Sequence, residues 1–411
     1  MKVKKPNSVI YFIIYILVYP FLKLMFRLDV DRSGFAPPKG PFIVVSNHTS
    51  FMDFAVVMLS LYPRKVNAVT AQKFFLYKPL NWFLPMMGCI PKNLFESDVR
   101  SIIGIKTVLK RGDHILLFPE GRCQVDGEYA GMNRSTGKLI KKLGVPVISS
   151  SIDGAYKCMP FWRDGIRFGR VRITLANLFS PDDLQSLTID EINTVLDRRL
   201  GRYDDLPPKK PLRTFGTRRL AEGLQNILYW CPKCGQEFTM ETKGCAIRCT
   251  SCGNAAELDR NMILNPTPGS IIPETIHEWY NEQAGYESRQ LREDMEPISV
   301  PVTVHLPSEV PGTGMVACGS GIVSLDSKGW YYKGELKGEQ VSLFFPIETV
   351  PAIPIDPDDV FQIYAHGTLY MLTPEDKRKC IKYSVIGECA HWKFAQNVQM
   401  TPGKDGGFVV S

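Results

Sequence analysis

Surplus charge, cysteine and long apolar runs are all scarce in these 411 residues. The 49 basic and 42 acidic side chains leave a formal net charge of +7, modest for this length. That surplus suits an anionic partner, and an anionic lipid surface qualifies as readily as nucleic acid. Eleven cysteines are too few and too unevenly placed for a disulfide scaffold. Four of them fall into two CxxC pairs, which in a reducing compartment means metal before disulfide, so an intracellular protein is expected. Apolar content of 44% with 22% charged residues excludes both a disordered chain and a polytopic membrane protein. Repeats and low-complexity tracts are also missing. What remains is a chain too long for one compact core, for which two or three domains are the sensible expectation.

One apolar run stands out, from Val9 to Leu22, preceded by Lys2, Lys4 and Lys5 and closed by Lys23. It falls short of the ~20 residues a spanning helix needs. Pro20 inside it would kink a helix, and no small-residue cleavage site follows. The favoured reading is a shallow anchor in one leaflet, held on the cytoplasmic face by its lysines. A true span and a buried core helix are the alternatives.

After Pro37, Pro38 and Gly40 the run Phe42 to Ser46 reads as a buried strand. Ile115 to Phe118 and Val145 to Ile148 read as two more. Ser97 to Lys110 has apolar residues at helical spacing. Such alternation, continuing to about Ser180, predicts an α/β domain with a mostly parallel central sheet flanked by helices. Leu206 to Pro211 reads as a linker, and Thr217 to Tyr229 as a short helix.

The chemistry gathers after two of the strands. Asn47-His48-Thr49-Ser50-Phe51-Met52-Asp53 follows the first. On one continuous helix His48 and Asp53 would lie about 140° apart. They can meet if His48 precedes the helix and Asp53 lies in its first turn, and Asn47, Thr49 and Ser50 are residue types that start helices. Asp53 would then fix the imidazole tautomer and leave the other nitrogen basic, a triad whose nucleophile is a substrate hydroxyl. A capping cluster with an incidental histidine is the competing reading. Phe118-Pro119-Glu120-Gly121-Arg122 ends another strand. There Gly121 lets the chain approach a ligand, and the Arg122 fork suits phosphate. Ligands of α/β sheets collect beyond the carboxyl ends of strands, where both motifs stand.

His-x4-Asp followed by Phe-Pro-Glu-Gly-Arg resembles the glycerophospholipid acyltransferase family, of the bacterial 1-acylglycerol-3-phosphate acyltransferase type. Gly88 to Asn93 and Gly144 to Ile148 match two further blocks of that family in order, so the resemblance covers residues 30–190. It implies that His48 deprotonates the acceptor hydroxyl, that Asp53 orients His48, and that Glu120, Gly121 and Arg122 hold the glycerol-phosphate end. The middle block usually ends in an arginine, where this chain offers Lys92. Cys123 stands where a threonine is usual. Lys73 and Arg134 are further candidates for the phosphate, with solvated surface charge as the plain alternative. The implied reaction needs no metal and takes its acyl group from coenzyme A or acyl-carrier protein. The implied product is phosphatidic acid, made at a membrane from a lysophospholipid. Glycerol-3-phosphate or another lysophospholipid is the alternative acceptor.

Cys231-x-x-Cys234 and Cys249-x-x-Cys252, each followed by glycine, have the spacing of a zinc ribbon with four thiolate ligands and a structural metal. Cys245 between them reads as a bystander. Such ribbons also bind nucleic acid, so a binding module beside an inert acyltransferase domain is a reading of another class. Lys233, Lys243 and Arg248 with Phe238 are thin for that role, and no nucleic acid is expected. Beyond about Asn265, glycine turns separate short β-rich runs such as Trp330-Tyr331-Tyr332, and a terminal helix runs from Lys377 to Asn397. This part loosely resembles a pleckstrin-homology-like or GRAM-like domain. Its aromatics read as core, and His366 and His391 as structural. The expected division is an anchor at 1–30, an acyltransferase domain at 31–225, a zinc ribbon at 226–262 and a β-rich domain at 263–411.

Overall fold

A computed structural model describes the chain except for residues 1–2, 96–97, 164, 202–213, 215, 217, 357–359, 366, 396–399, 403–407 and 411. The expected linker Leu206 to Pro211, the residues Thr217 and Asn397 at the ends of two expected helices, and His366 lie outside the described residues.

The first helix, Ser8–Met25, is capped by Asn7, whose side chain accepts from the N–H groups of Val9 and Ile10. It runs on through Pro20 as one assigned helix. Its 18 residues extend about 27 Å at ~1.5 Å each, close to the ~30 Å of a hydrocarbon core. By length and composition it can cross a membrane. One face packs on the protein. The Tyr11 hydroxyl donates to the Met58 carbonyl at 3.1 Å, and the Tyr15 ring stacks on Tyr62 at 4.0 Å. Phe12, Ile16, Leu17, Phe21 and Leu24 on the other side are exposed.

Seven strands follow: β1 (Asp29–Gly34), β2 (Ile43–Ser46), β3 (Val66–Ala71), β4 (Ile90–Lys92), β5 (His114–Leu117), β6 (Val147–Asp153) and β7 (Arg172–Phe179). They form one sheet in the order β1-β7-β6-β2-β5-β3-β4. Only the β6–β7 pair is antiparallel. This is the mostly parallel sheet expected. Strand β2 lies between β5 and β6 with both faces covered. Val44 belongs to one apolar cluster, while Ile43 and Val45 belong to the other. That is why its sequence is continuously apolar rather than alternating. The helical spacing after Ser97 becomes the helix Val99–Lys110, capped by Asp98. The α/β part extends past Ser180 through a helix at Ile189–Gly201.

The helix expected over Thr217 to Tyr229 does not form. Only a short 3-10 turn, Leu224–Asn226, occurs among the described residues there. Gly223 precedes it at φ +96°, a conformation that ends helices and that a side chain would resist. The cysteine region is a small antiparallel sheet of β8 (Met240–Lys243), β9 (Ala246–Cys249), β10 (Ala255–Leu258) and β11 (Leu264–Pro266). A 15-residue helix, Ile276–Gln290, then interrupts the stretch expected to be β-rich. Its start is a capping box between Thr275 and Glu278.

The last sheet has seven antiparallel strands: β12 (Ile298–Pro307), β13 (Met315–Leu325), β14 (Gly329–Leu336), β15 (Glu339–Pro346), β16 (Ile355–Asp356), β17 (Val360–Ala365) and β18 (Thr368–Pro374). Trp330 and Tyr332 are buried in its core. The helix Cys380–Phe394 packs on the sheet with Tyr383, Ile386 and Ala390. From the same helix Ile381 and Val385 enter another cluster. That cluster joins Ile247 and Cys249 of the cysteine region to Tyr156 and Trp162 of the first domain. His391 on this helix lies with Nδ1 2.7 Å from the Ile347 carbonyl.

Asn47 ties the end of β2 to β6 without being a cap. Its Oδ1 accepts from the Ile152 N–H at 2.7 Å, and its Nδ2 donates to the Ile152 carbonyl at 2.8 Å. The side chain thus imitates a strand neighbour where the backbone turns away. Asn47→Ala leaves two buried backbone groups without partners and should cost about 2–4 kcal/mol. Chemical denaturation would measure it, and an unchanged midpoint would contradict the role given to Asn47.

Candidate active site

Parallel pairing of adjacent strands brings the two motifs together. Val45 on β2 is in register with Leu117 on β5. His48 and Glu120 each follow three residues later, so they leave the sheet side by side at its carboxyl edge. The neighbours of β2 lie on opposite sides, and the chain order reverses there, the usual place for a ligand in such sheets. The His48 N–H donates to Glu120 Oε1 at 2.7 Å, and the Gln124 N–H donates to the His48 carbonyl at 2.9 Å. The loop carrying the histidine is stitched to the loop after β5.

Asp53 is the first residue of the helix Asp53–Ser60, as the spacing requires. Its carboxylate is fully buried and surrounded by donors. The Ser50 N–H donates to Oδ2 at 2.8 Å, the Ser50 hydroxyl to Oδ1 at 2.7 Å, and Thr49 Oγ1 to Oδ1 at 3.3 Å. His48 Nδ1 lies 3.2 Å from Oδ2. With the carboxylate ionised and the ring neutral, Nδ1 carries the proton and Nε2 the lone pair. Phe118 stacks on the imidazole at 4.4 Å and limits its rotation. Thr49 and Ser50, which read as caps, in fact hold the acid that holds the histidine.

Glu120 is engaged by neighbouring groups of the chain. Its buried carboxylate accepts from the His48 backbone and from the Gln124 side-chain amide at 3.0 and 3.2 Å. Burial pushes its pKa up to about 7, against these hydrogen bonds. Its place in the geometry is to brace the histidine loop. Gly121 turns at φ +74° with, among the described residues, the Phe95 ring near its missing side chain. Arg122 is engaged through both Nη atoms by the carboxylate of Glu388, with Nη2 2.9 Å from Oε2.

The other cations disperse. Lys73 pairs with Asp356, and Arg134 donates to Asp197 at 2.7 Å. Lys92 ends β4, its Nζ 3.4 Å from the Asn93 carbonyl. Burial lowers its pKa, and the nearby Asp98 opposes that.

Cys123, visible in the sequence only as a departure from the family pattern, is buried against the site. Its sulfur lies 3.5 Å from His48 Nε2 and 3.7 Å from Nδ1. Burial of the imidazole opposes its charge, yet Cys123 and Asp53 outweigh burial and hold the His48 pKa well above the ordinary value. Gln124 and Glu388 carried no signal in the sequence at all.

The four cysteines converge as their spacing predicts. All four sulfurs lie within 4.8 Å of one another, with Cys231 to Cys252 at 3.7 Å and Cys234 to Cys249 at 3.8 Å. The turns close through N–H groups of Gly235 and Gly253 bonded back to Cys231 and Cys249, with φ of +71° and +76°.

The chain is similar to several known proteins. Residues 27–153 match the family described as Acyltransferase. The chloroplastic 1-acyl-sn-glycerol-3-phosphate acyltransferase BAT2 of Brassica napus is 29% identical over 162 residues, 38% of this chain and 45% of that protein. LPAT1 of Arabidopsis thaliana, a chloroplastic protein of the same description, is 28% identical over 38% of this chain and 44% of its own. The chain thus aligns with less than half the length of these relatives. The crystal structure of the 1-acyl-sn-glycerophosphate acyltransferase PlsC from Thermotoga maritima aligns over 46% of this chain and 76% of its own. The TM-score is 0.40 and the identity 23%.

The imidazole gives a direct check. An NMR titration should place the His48 pKa above about 6.5, and Cys123→Ala should move it down. A wild-type value at or below the ordinary one, or no movement in the variant, would contradict the electrostatics described.

Proposed function

We propose that this chain, whose residues 27–153 match the family described as Acyltransferase, is a glycerophospholipid acyltransferase that moves a fatty acyl group from an acyl thioester to the free hydroxyl of 1-acylglycerol-3-phosphate. The observation that carries this reading is the His48–Asp53 pair, 3.2 Å apart at a strand-to-helix junction on the carboxyl edge of the sheet. The activity for which the plant relatives are named supports the choice of acceptor.

In this mechanism Asp53 holds the Nδ1 proton and stabilises the charge that His48 acquires. Nε2 takes the proton of the acceptor hydroxyl as its oxygen attacks the thioester carbonyl. A C–O bond forms, the C–S bond breaks, and the leaving thiolate recovers the proton from His48. The product is phosphatidic acid. The raised pKa makes the neutral ring a stronger base but less abundant at low pH, so the rate rises with pH through that pKa. Arg122 supplies the two-point contact for the acceptor phosphate once it is free to do so. Coenzyme A and acyl-carrier protein offer the same thioester, and His48 acts alike on either.

The N-terminal helix serves as the membrane anchor. Its inner face is fixed to the acyltransferase core by Tyr11 and Tyr15, so its outer apolar face is the one offered to lipid. Its lysine-rich flank suits the cytoplasmic face. The proposed domain division at about 30, 225 and 262 separates the two seven-stranded sheets, but 262 falls before β11 of the cysteine-region sheet, and one apolar core runs across it. Cys231, Cys234, Cys249 and Cys252 would hold one structural zinc. With Zn–S bonds of about 2.3 Å, a tetrahedron sets its sulfurs about 3.8 Å apart, close to the Cys231–Cys252 and Cys234–Cys249 separations. Four thiolates leave no open position, so the metal would supply folding energy alone.

His48→Ala should lower acyl transfer at least about 100-fold while the protein stays folded. Assaying a panel of phosphorylated acceptors with both donors measures it, and turnover retained in the variant would remove the mechanism. Metal analysis of the pure protein should give about one zinc per chain, with a lower Tm after chelation. Protein that is equally stable and metal-free after anaerobic purification would refute the zinc site.

A further inference from the structure

The group assigned to the acceptor phosphate is already occupied from within the molecule. Both terminal nitrogens of Arg122 donate to the two carboxylate oxygens of Glu388. Glu388 lies 266 residues further along, on the helix Cys380–Phe394 that closes the C-terminal sheet. Two parallel N–H···O bonds to a planar anion are the same contact a guanidinium makes with a phosphate. Lys73 shows the same pattern. Its partner is Asp356, on strand β16 of that C-terminal sheet. Two cations of the first domain are therefore neutralised by two acids of the last.

We propose that Glu388 is a built-in competitor for the acceptor phosphate, through which the C-terminal domain sets the affinity of the acyltransferase site. This rests on the reading that Arg122 binds that phosphate. Three features fit a contact made to be exchanged. Solvent reaches both partners, with 24% of the Arg122 side chain and 18% of the Glu388 side chain exposed. Glu388 Oε1 also accepts from the Ile353 N–H at 3.3 Å, so the carboxylate keeps a donor when Arg122 leaves it. The helix itself is anchored without the ion pair, since Tyr383 and Ile386 pack on the sheet while Ile381 and Val385 pack on the cysteine region.

A site free only part of the time shows an apparent dissociation constant raised in inverse proportion to the free fraction. If the pair is closed nine times in ten, removing the competing charge tightens binding about tenfold.

The test uses the full chain, with the acceptor varied at saturating acyl-coenzyme A. Glu388→Gln should lower the acceptor KM about tenfold and leave kcat within about twofold. Glu388→Asp, which shortens the side chain but keeps the charge, should fall between. In an Arg122→Ala background Glu388→Gln should change nothing. Calorimetric titration with inorganic phosphate supplies a readout without turnover, and Glu388→Gln should bind it more tightly than wild type. An acceptor KM unchanged or raised in folded Glu388→Gln would make the pair a structural strut and overturn the proposal. So would an effect that survives in the Arg122→Ala background. If neither wild type nor variant acylates any phosphorylated acceptor, the functional reading fails instead. Phosphate titration then decides alone, tighter binding by Glu388→Gln upholding the competition and equal binding overturning it.

Discussion

A buried carboxylate organises the end of this molecule where the proposed chemistry takes place. Asp53 has no exposure to water, and an ionised group so placed is stable only if its oxygens are met by donors. The chain between β2 and the next helix is arranged to meet them. Ser50 supplies its N–H and hydroxyl, Thr49 a hydroxyl, and His48 a ring nitrogen. Of these donors His48 alone has a second ring nitrogen, Nε2, which lies 3.5 Å from the Cys123 sulfur. Catalytic competence in this account is a by-product of satisfying one charge. The neighbouring loop serves the same end, with Glu120 and Gln124 holding the histidine backbone from the other side.

That local arrangement sits inside a larger assembly whose parts have cores of their own and share a further one between them. Trp162 of the first domain, Ile247 of the cysteine region and Val385 of the terminal helix share one apolar cluster. The terminal helix is the bridge, packing in two directions and pairing Lys382 with Glu237 at 2.5 Å. Metal at the four cysteines would therefore stiffen more than the small sheet they belong to. It would help to fix the helix from which Glu388 faces Arg122.

Features set by neighbours in sequence were legible, and those set by neighbours in space were not. A continuously apolar run before His48, with Asp53 five residues on, marks a buried strand and a helix start. The four cysteines declare themselves by their spacing and glycines. By contrast, Glu120 and Asn47 look like ligand and cap until strand order shows what they face: the histidine backbone in one case, Ile152 in the other. Glu388 stands on an ordinary helix and means nothing without knowledge of what packs against it. The helix Ile276–Gln290 is a different kind of miss, because the Thr275 and Glu278 signature was present but surrounded by β-rich sequence. The short helix expected before the cysteines failed on Gly223, whose positive φ overrode the spacing of apolar residues around it.

The central claim is that one imidazole nitrogen, freed by the Asp53 contact, receives the proton of an alcohol. A crystal structure with lysophosphatidic acid and a thioether analogue of the acyl donor tests it most directly. The account predicts the acceptor hydroxyl within about 2.6–3.2 Å of His48 Nε2, with Nδ1 still on Asp53. An acceptor bound in productive register with its hydroxyl beyond reach of that nitrogen would contradict it.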